Sequence, residues 1–409
     1  MKPSRSASLS AVFLVAGCIQ AQAQAQDVDV QAELAAQRAR IAELEKKAAA
    51  KPVAEAANPA AEAPKLADTE LPPPKGMTLR IGDTAWLKVG GNLQVWADWN
   101  QDPVTEGYAQ NLYLRRARFN VAGKVANGLY FYWQTDNSND GKSPKSLGTG
   151  FQTLDAVLEW RLDTAFNVQA GLIYVPTSRE AIKSSATQSL LDTSAYATLA
   201  TAQLQGNSNR DTGLAVRGFV LDEHLEYRLI ALQGIRDSSS NNAYRYVGRL
   251  SYNFFDKEMY TPSFTSITSS YNGTTRKILA IGTSYDTQKS YKLYSGDIFA
   301  SIPFQTGRFE TTIWFQSIDG GTWVTALPKQ NTFTAEAGWY FEALKTSAWG
   351  RWERRQYKVG DTKDEKRYWA GLTYYVYGNN LNLKAAYQRL SPNVGNSTNE
   401  FTLALQMSY

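Results

Sequence analysis

In this 409-residue chain, the side chains most able to bind a charged ligand are arginines at alternating positions of predicted strands. Arg116 and Arg118 share one face of such a stretch with no acid between them, and Lys124 lies on the same face. A guanidinium binds carboxylates and phosphates through two parallel N–H groups. The spacing therefore predicts a surface that attracts anions.

Covalent and metal-assisted catalysis find little support in the sequence. The one histidine, His224, lies in a predicted turn without a serine nucleophile motif, and the one cysteine, Cys18, lies near the N-terminus. An activated nucleophile needs a neighbouring base, and a metal needs a cluster of ligands. We expect no enzyme, no metal and no cofactor. The net charge of +5 is too mild to predict a nucleic-acid partner.

The aromatic residues indicate a membrane environment. The chain has 23 Tyr and 11 Trp but only four Met. Tyr and Trp concentrate where a protein meets a membrane interface. No apolar run beyond the N-terminal region reaches the roughly 18 residues that a spanning helix needs. Because only every second residue of a barrel strand faces lipid, this composition predicts a transmembrane antiparallel β-barrel.

The N-terminal residues predict export. Residues 1–25 have the features of a signal peptide, with Lys2 and Arg5 before an apolar run and a small-residue cleavage site at 23–25. In an alternative interpretation, residues 15–18 form a lipobox and Cys18 is acylated. A Cys discarded with the signal peptide is the preferred interpretation.

A short helical segment and a linker are predicted between the signal peptide and the barrel. Val30, Leu34, Ile41 and Leu44 repeat at steps of a heptad pattern within residues 26–50. About three heptads are the lower limit for a coiled coil, so a single solvated helix is the alternative to an oligomerisation segment. Residues 51–76 are rich in Ala and Pro and predict an extended linker.

Residues 77–409 show the two-residue period of strands, and we predict an all-β barrel of about 16 strands in this region. An even count places both chain ends in the periplasm. The predicted strands are 85–99, 110–124, 127–136, 152–162, 165–175, 211–221, 225–234, 244–254, 277–286, 291–301, 307–318, 329–341, 345–357, 366–378, 380–391 and 398–409. Residues 255–276 are long where a short turn is expected, so either the register slips there or a small extra hairpin is present.

The last strand carries the most specific motif. Its apolar residues alternate with polar ones up to a terminal aromatic, which is typical of the signal that outer-membrane assembly machinery recognises. The predicted signal residues are Phe401, Leu403, Leu405, Met407 and Tyr409. This strand is expected to close the barrel against the strand at 85–99.

The charged faces of the strands predict a watery lumen. The basic side chains expected to line it are Arg116, Arg118, Lys124, Arg161, Arg217, Arg245 and Arg249. For any one of them a cross-strand ion pair in the wall is the preferred interpretation. Arg116 and Arg118 are the exception, expected to face lumen water.

Three stretches carry a resemblance to a known family: residues 114–119 (LRRARF), 132–136 (YWQTD) and 169–176 (QAGLIYVP). They are similar to the phosphate-selective porin O and P family, and the similarity spans most of 80–409. The resemblance implies a homotrimer of 16-stranded barrels with an anion-preferring lumen. It also implies that the third outer loop, here about 176–210 with Arg179 and Lys183, folds inward and forms the constriction.

These observations together predict an outer-membrane porin of a Gram-negative bacterium. We expect passive diffusion of small hydrophilic solutes with a weak preference for anions, phosphate among the candidates. The expected partners are further copies of the chain, outer-membrane lipid, the barrel-assembly machinery and small anions. The alternatives are a structural tether of the cell envelope and a barrel sheath around an electron-transfer partner. A missing inward loop would favour the sheath.

Overall fold

The computed structural model describes residues 38–40, 42–43, 77–81, 85–142, 147–148, 150–206, 208–236, 242–258, 267–360 and 362–409. Two compact units are distinguished, residues 1–70 and 71–409. In the first unit the described residues are helical. The predicted signal peptide, linker and most of the predicted coiled coil lie outside the described residues. Within the described residues, no helix has the length and apolarity to span a membrane.

The described part of the second unit forms seventeen strands, and sixteen of them close into an antiparallel barrel. The strands are β1 (Thr78–Ile81), β2 (Ala85–Gln101), β3 (Tyr108–Ala126), β4 (Leu129–Asp140), β5 (Gln152–Arg161), β6 (Asn167–Tyr174), β7 (Arg210–Val220), β8 (Leu225–Leu232), β9 (Arg245–Asn253), β10 (Ile278–Gln288), β11 (Tyr291–Phe304), β12 (Gly307–Asp319), β13 (Gln330–Phe341), β14 (Thr346–Tyr357), β15 (Glu365–Tyr377), β16 (Leu381–Pro392) and β17 (Thr398–Ser408). The short β1 pairs with the start of β2. The predicted barrel of 16 strands is confirmed.

The barrel closes between its last and first long strands. β17 pairs with β2 from Glu400 opposite Asn100 to Ser408 opposite Asn92. The Tyr409 N–H donates to the carbonyl of Gly91 at 3.1 Å, which extends the pairing to the last residue. Closure satisfies the backbone groups that an open edge would leave exposed to lipid.

Side chains alternate between lipid and lumen along each strand. In β17, Phe401, Leu403 and Leu405 are exposed on the outer surface, whereas Thr402 and Gln406 are buried inside. Met407 and Tyr409 continue the exposed row. The outer row therefore supplies the apolar band that faces lipid acyl chains.

The two ends of the barrel differ in their connections. Six connections at the end that carries both barrel termini, here called the terminus end, span two to five residues. At the opposite end, the loop end, several connections are longer. The connection after β9 breaks this rule. A slip in register is the wrong explanation, because β9 and β10 pair in register, with Asn253 opposite Ala280. The described residues of this connection, 254–258 and 267–277, form no strand of a hairpin.

Two connections fold into the lumen and do not stay at the ends of the barrel. One is the constriction loop, residues 175–206 and 208–209, which follows β6 and contains a 3-10 turn at Glu180–Ile182 and a short helix at Leu199–Gln203. The other is the terminus-end segment, residues 254–258 and 267–277. Lys183 of the loop and Ile267 of the segment form an isolated parallel bridge. The two insertions therefore meet inside the barrel, and the inward loop agrees with the prediction.

Candidate functional site

The tip of the constriction loop lies against the wall formed by β15 and β16. Lys384 Nζ donates to the carbonyls of Gln188 at 2.8 Å and Leu190 at 2.9 Å. Thr373 Oγ1 donates to the carbonyl of Ser189 at 2.5 Å. Carbonyls without strand partners need donors in a barrel interior, because an unsatisfied buried acceptor is costly. These wall side chains therefore fix the position of the tip.

A buried network of four charges holds the first leg of the same loop. Lys183 binds Glu180 at 2.8 Å and also Glu336 of β13. Arg351 of β14 binds Glu336 at 3.1 Å and Glu180 at 3.7 Å. Burial lowers the pKa of Lys183, but the two carboxylates outweigh it and raise the pKa above its usual value. Lys183 is therefore charged and acts as a tether, although it was predicted as a constriction cation.

A β-bulge on β3 turns a second arginine, next to Arg116, toward the constriction loop. Gln94 of β2 pairs with Arg116 and the next residue, Val95, pairs with Leu114, so Arg115 is the extra residue. A bulge redirects a side chain without changing the rest of the strand. Strict alternation would place Arg115 toward lipid, and for that reason it is absent from the predicted pore residues.

Both arginines bind one carboxylate of the constriction loop. Arg115 Nη2 lies 2.6 Å and Arg116 Nη2 lies 2.7 Å from the two carboxylate oxygens of Asp192. Burial alone raises the pKa of Asp192, but the charges of Arg115 and Arg116 outweigh it and hold the pKa below its usual value. The prediction that Arg116 faces lumen water is wrong. A buried guanidinium requires a counter-charge, and the loop supplies it.

Two cavities in the lumen lie beside the constriction loop. The loop-side cavity has a volume of about 520 Å³, and the terminus-side cavity about 220 Å³. Four residues line both of them and form what we call the constriction ring: Arg118, Tyr174, Ser185 and Arg210. The ring lies where the two cavities adjoin, and we take it as the point of passage between them.

The constriction ring is held by hydrogen bonds and ion pairs to the wall. Arg118 binds Asp136 at 2.9 Å and donates to Ser185 Oγ at 2.6 Å. Arg210 binds both oxygens of Asp155, at 3.1 and 3.0 Å. Its guanidinium also lies 3.6 Å from the centre of the Tyr174 ring. Arg118 thus lines both cavities while paired with a carboxylate, a pairing that was not predicted.

Among the charged side chains that line the two cavities, basic ones outnumber acidic ones. In the described part of the chain, seven basic residues line the loop-side cavity and three line the terminus-side cavity, with Arg118 and Arg210 common to both. The acidic residues of these linings are Asp192 in the first and Asp155 in the second, besides the chain-end carboxylate of Tyr409. The eight basic residues are Lys88, Arg115, Arg116, Arg118, Lys142, Lys183, Arg210 and Arg367. The charged side chains that line these cavities are therefore mostly basic.

Three predicted pore residues point inward but form ion pairs in the wall. Arg217 binds Glu159 at 2.8 Å, Arg245 binds Asp286 at 2.6 Å, and Arg249 binds Asp297 at 2.7 Å. All three arginines are buried. They do not belong to the lining of the two cavities. The structure thus places Arg217, Arg245 and Arg249 in wall ion pairs away from the passage.

The remaining predicted basic residues also lie away from the constriction ring. Arg161 binds Glu159 at 2.5 Å near the terminus end of β5. Lys124 is half-buried near the same end of β3 and is not part of either cavity lining. Arg179 of the constriction loop binds Glu258 of the terminus-end segment at 2.6 Å. The cavity linings include Arg116 and Arg118 from the predicted strand set and Lys183 from the loop, and all three are held in ion pairs.

Sequence and structure comparisons agree with this architecture. The family model described as phosphate-selective porin O and P matches residues 87–289. No curated protein matches the chain in sequence.

Three solved structures illustrate the shared fold. OmpF of Salmonella typhi in complex with daunomycin is 12% identical, with a TM-score of 0.56 over 81% of this chain and 100% of that chain. An anion-selective porin from Comamonas acidovorans is 11% identical, with a TM-score of 0.54 over 80% and 100%. OmpT of Vibrio cholerae in a trimer form is 9% identical, with a TM-score of 0.51 over 80% and 100%. Together with the family match, the closed barrel places this chain in the outer membrane of Gram-negative bacteria, as a member of the phosphate-selective porin O and P family.

Proposed function

We propose that this porin is a passive-diffusion pore for small hydrophilic solutes with a weak preference for anions. The observation that carries the proposal is the lining of the two cavities, with eight basic side chains against two acidic ones among the described residues. In a narrow, partly desolvated passage a charge acts more strongly than it does in bulk water. Anions therefore enter the constriction ring at a lower energetic cost than cations.

The pairing of the arginines favours a general anion preference over a tight phosphate site. A phosphate filter needs several cations that converge on one point with donors to spare. Here Arg118 is bound to Asp136, Arg210 to Asp155, and Asp192 binds two further arginines. The positive excess is spread along the passage, which supports weak selection among small anions.

Bilayer recordings test the proposed preference. In a KCl gradient, the reversal potential should lie on the chloride side of zero. The preference should weaken as salt rises and the screening length falls below about 10 Å. A saturable block of the chloride current by millimolar phosphate would instead support a phosphate site. A reversal potential on the potassium side would contradict the proposal.

We also propose a homotrimer in which residues 26–50 form a coiled coil, after removal of residues 1–25 as a signal peptide and ahead of a linker at 51–76. OmpT of Vibrio cholerae, which shares the fold, has a trimer form, and the heptad pattern of this chain supports association. Deletion of residues 26–70 should leave a conducting trimer that dissociates at a lower temperature. An unchanged dissociation temperature would contradict a role in oligomerisation.

Insertion is proposed to depend on the exposed row of β17 that ends at Tyr409, read by the barrel-assembly machinery before the apolar band contacts lipid. Deletion of Tyr409 should lower the amount of porin in the outer membrane, and normal surface levels would contradict this role. Among the alternatives, a missing inward loop would have favoured the sheath. The constriction loop crosses the lumen, an arrangement that favours conduction.

A further inference from the structure

We propose that the terminus-end segment is a second structural element of the constriction, and that Glu258 is a positioning residue for the constriction loop. The inference rests on the proposed function, since it concerns the width of the same passage. In this arrangement the loop enters from one end of the barrel and the segment from the other. The passage is then set by both insertions, and the loop alone does not define it.

The segment is anchored to the barrel wall. The Tyr271 N–H donates to Glu310 Oε1 of β12 at 2.7 Å. Arg308 of the same strand donates to the carbonyl of Arg276 at 2.8 Å. Asn272 Nδ2 donates to the hydroxyl of Tyr375 on β15 at 2.9 Å. Anchors on two separate strands give the segment a defined position from which to hold a neighbour.

The segment then binds the backbone of the loop next to the passage. The Ile267 N–H donates to the carbonyl of Ile182 at 2.9 Å, and the Ser184 N–H donates to the carbonyl of Ile267 at 3.1 Å. Ser269 Oγ donates to the carbonyl of Ser184 at 2.5 Å. The next residue, Ser185, accepts a hydrogen bond from Arg118 and lines both cavities. The loop leg therefore lies between the segment on one side and the constriction ring on the other.

Glu258 supplies the ionic part of this support. Its two carboxylate oxygens each accept a hydrogen bond from Arg179 of the loop at 2.6 Å, and one also accepts from the Tyr271 hydroxyl at 2.6 Å. The Arg179 guanidinium lies 3.6 Å from the centre of the Phe299 ring, and its side chain is 3% exposed. A bidentate, buried pair fixes both distance and direction. Movement of Arg179 would move the leg that ends at Ser185.

The test compares single-channel records of Glu258→Gln with those of a matched control. Glu223→Gln removes a half-buried carboxylate at the same end, whose partner at 3.5 Å is Lys257, the residue before Glu258. We expect the conductance of Glu258→Gln to rise by roughly a third and its open-channel noise by about twofold, because a loosened leg widens and destabilises the constriction. The control should conduct like the wild type.

A second variant, which changes no buried charge, keeps the test valid if Glu258→Gln fails to fold. Ser269→Ala combined with Asn272→Ala removes hydrogen bonds to the loop and wall, and it should raise noise in the same direction with a smaller change in conductance. Heat stability of the folded barrel is recorded for each variant. If both variants fold with wild-type conductance and noise, the positioning role is overturned. A wild-type pore without anion preference would instead contradict the proposed function.

Discussion

Along β13–β16 the constriction loop packs against most of the lumen wall, although Arg367, Trp369 and Gln388 still line the loop-side cavity. Along β2–β7 the lumen contains most of the lining of the two cavities that meet at the constriction ring. On the filled side, charged residues such as Lys183 and Glu336 are almost completely buried in ion pairs with the loop. On the passage side, Arg115 and Arg118 are also paired, but their side chains retain 22% and 11% exposure.

The difference shows that the identity of a charged side chain does not decide its role. An arginine next to loop backbone compensates buried charge and stabilises the fold, whereas an arginine next to open volume contributes its field to the solute path. The two roles differ in whether loop atoms or open volume lie next to the charged group. Single and double substitutions can disturb one side of the lumen at a time.

The largest expected effect lies on the filled side. Glu336→Leu leaves Lys183 and Arg351 buried with one shared carboxylate, that of Glu180. We expect the free energy of unfolding to fall by about 3–5 kcal/mol, as is typical when a buried ion pair is broken. Urea unfolding of the purified barrel in micelles measures this. Glu342→Leu, at an exposed turn, is the control, and equal losses for the two variants would contradict the contrast.

An intermediate effect is expected on the passage side. Arg116→Ser combined with Arg118→Ser removes two of the eight basic residues in the cavity linings. The permeability ratio of chloride to potassium should fall by roughly twofold, because the field in the constriction weakens. Reversal potentials measure this ratio. The outward pair Lys366→Ser with Arg389→Ser removes the same charge from the outer wall and should leave the ratio unchanged. Equal shifts in both double variants would contradict the assignment.

The smallest expected effect is a change in anion preference on substitution of Asp192, the loop carboxylate that binds the arginines of the passage side. Asp192→Asn removes the acidic residue of the loop-side cavity and the counter-charge of Arg115 and Arg116. Anion preference should increase slightly, by less than about twofold in the same permeability ratio. Asp222→Asn, in an exposed turn, is the control. A shift toward cations in Asp192→Asn would show that the loop tip moves and closes the path.

The barrel was predictable from sequence because its pattern is local. Each strand exposes one row to lipid and one to the lumen, so the two-residue period of stretches such as β17 predicts strand, face and closure together. The even strand count followed from the same period, and the inward loop followed from family resemblance. Both rest on features that repeat along the chain or across the family.

The site was less predictable because it depends on contacts between distant residues. The bulge at Arg115 shifts the alternation by one residue, and no local sequence pattern predicts it. The pairing of Arg116 with Asp192 joins residues 76 positions apart. The entry of the terminus-end segment is signalled in sequence only by an unusual length between β9 and β10.

Cysteine accessibility at position 185 tests the central claim that solutes pass through the constriction ring, beside its arginines. Ser185→Cys lies in the ring, whereas Thr373→Cys lies on the filled wall, where the native side chain is 0% exposed. A wild-type sample measured in parallel accounts for Cys18. An anionic methanethiosulfonate reagent should block the current of Ser185→Cys about tenfold faster than a cationic one, because the cationic lining concentrates anions, and neither reagent should affect Thr373→Cys. Equal block of both variants, or faster block of Ser185→Cys by the cation, would contradict the account.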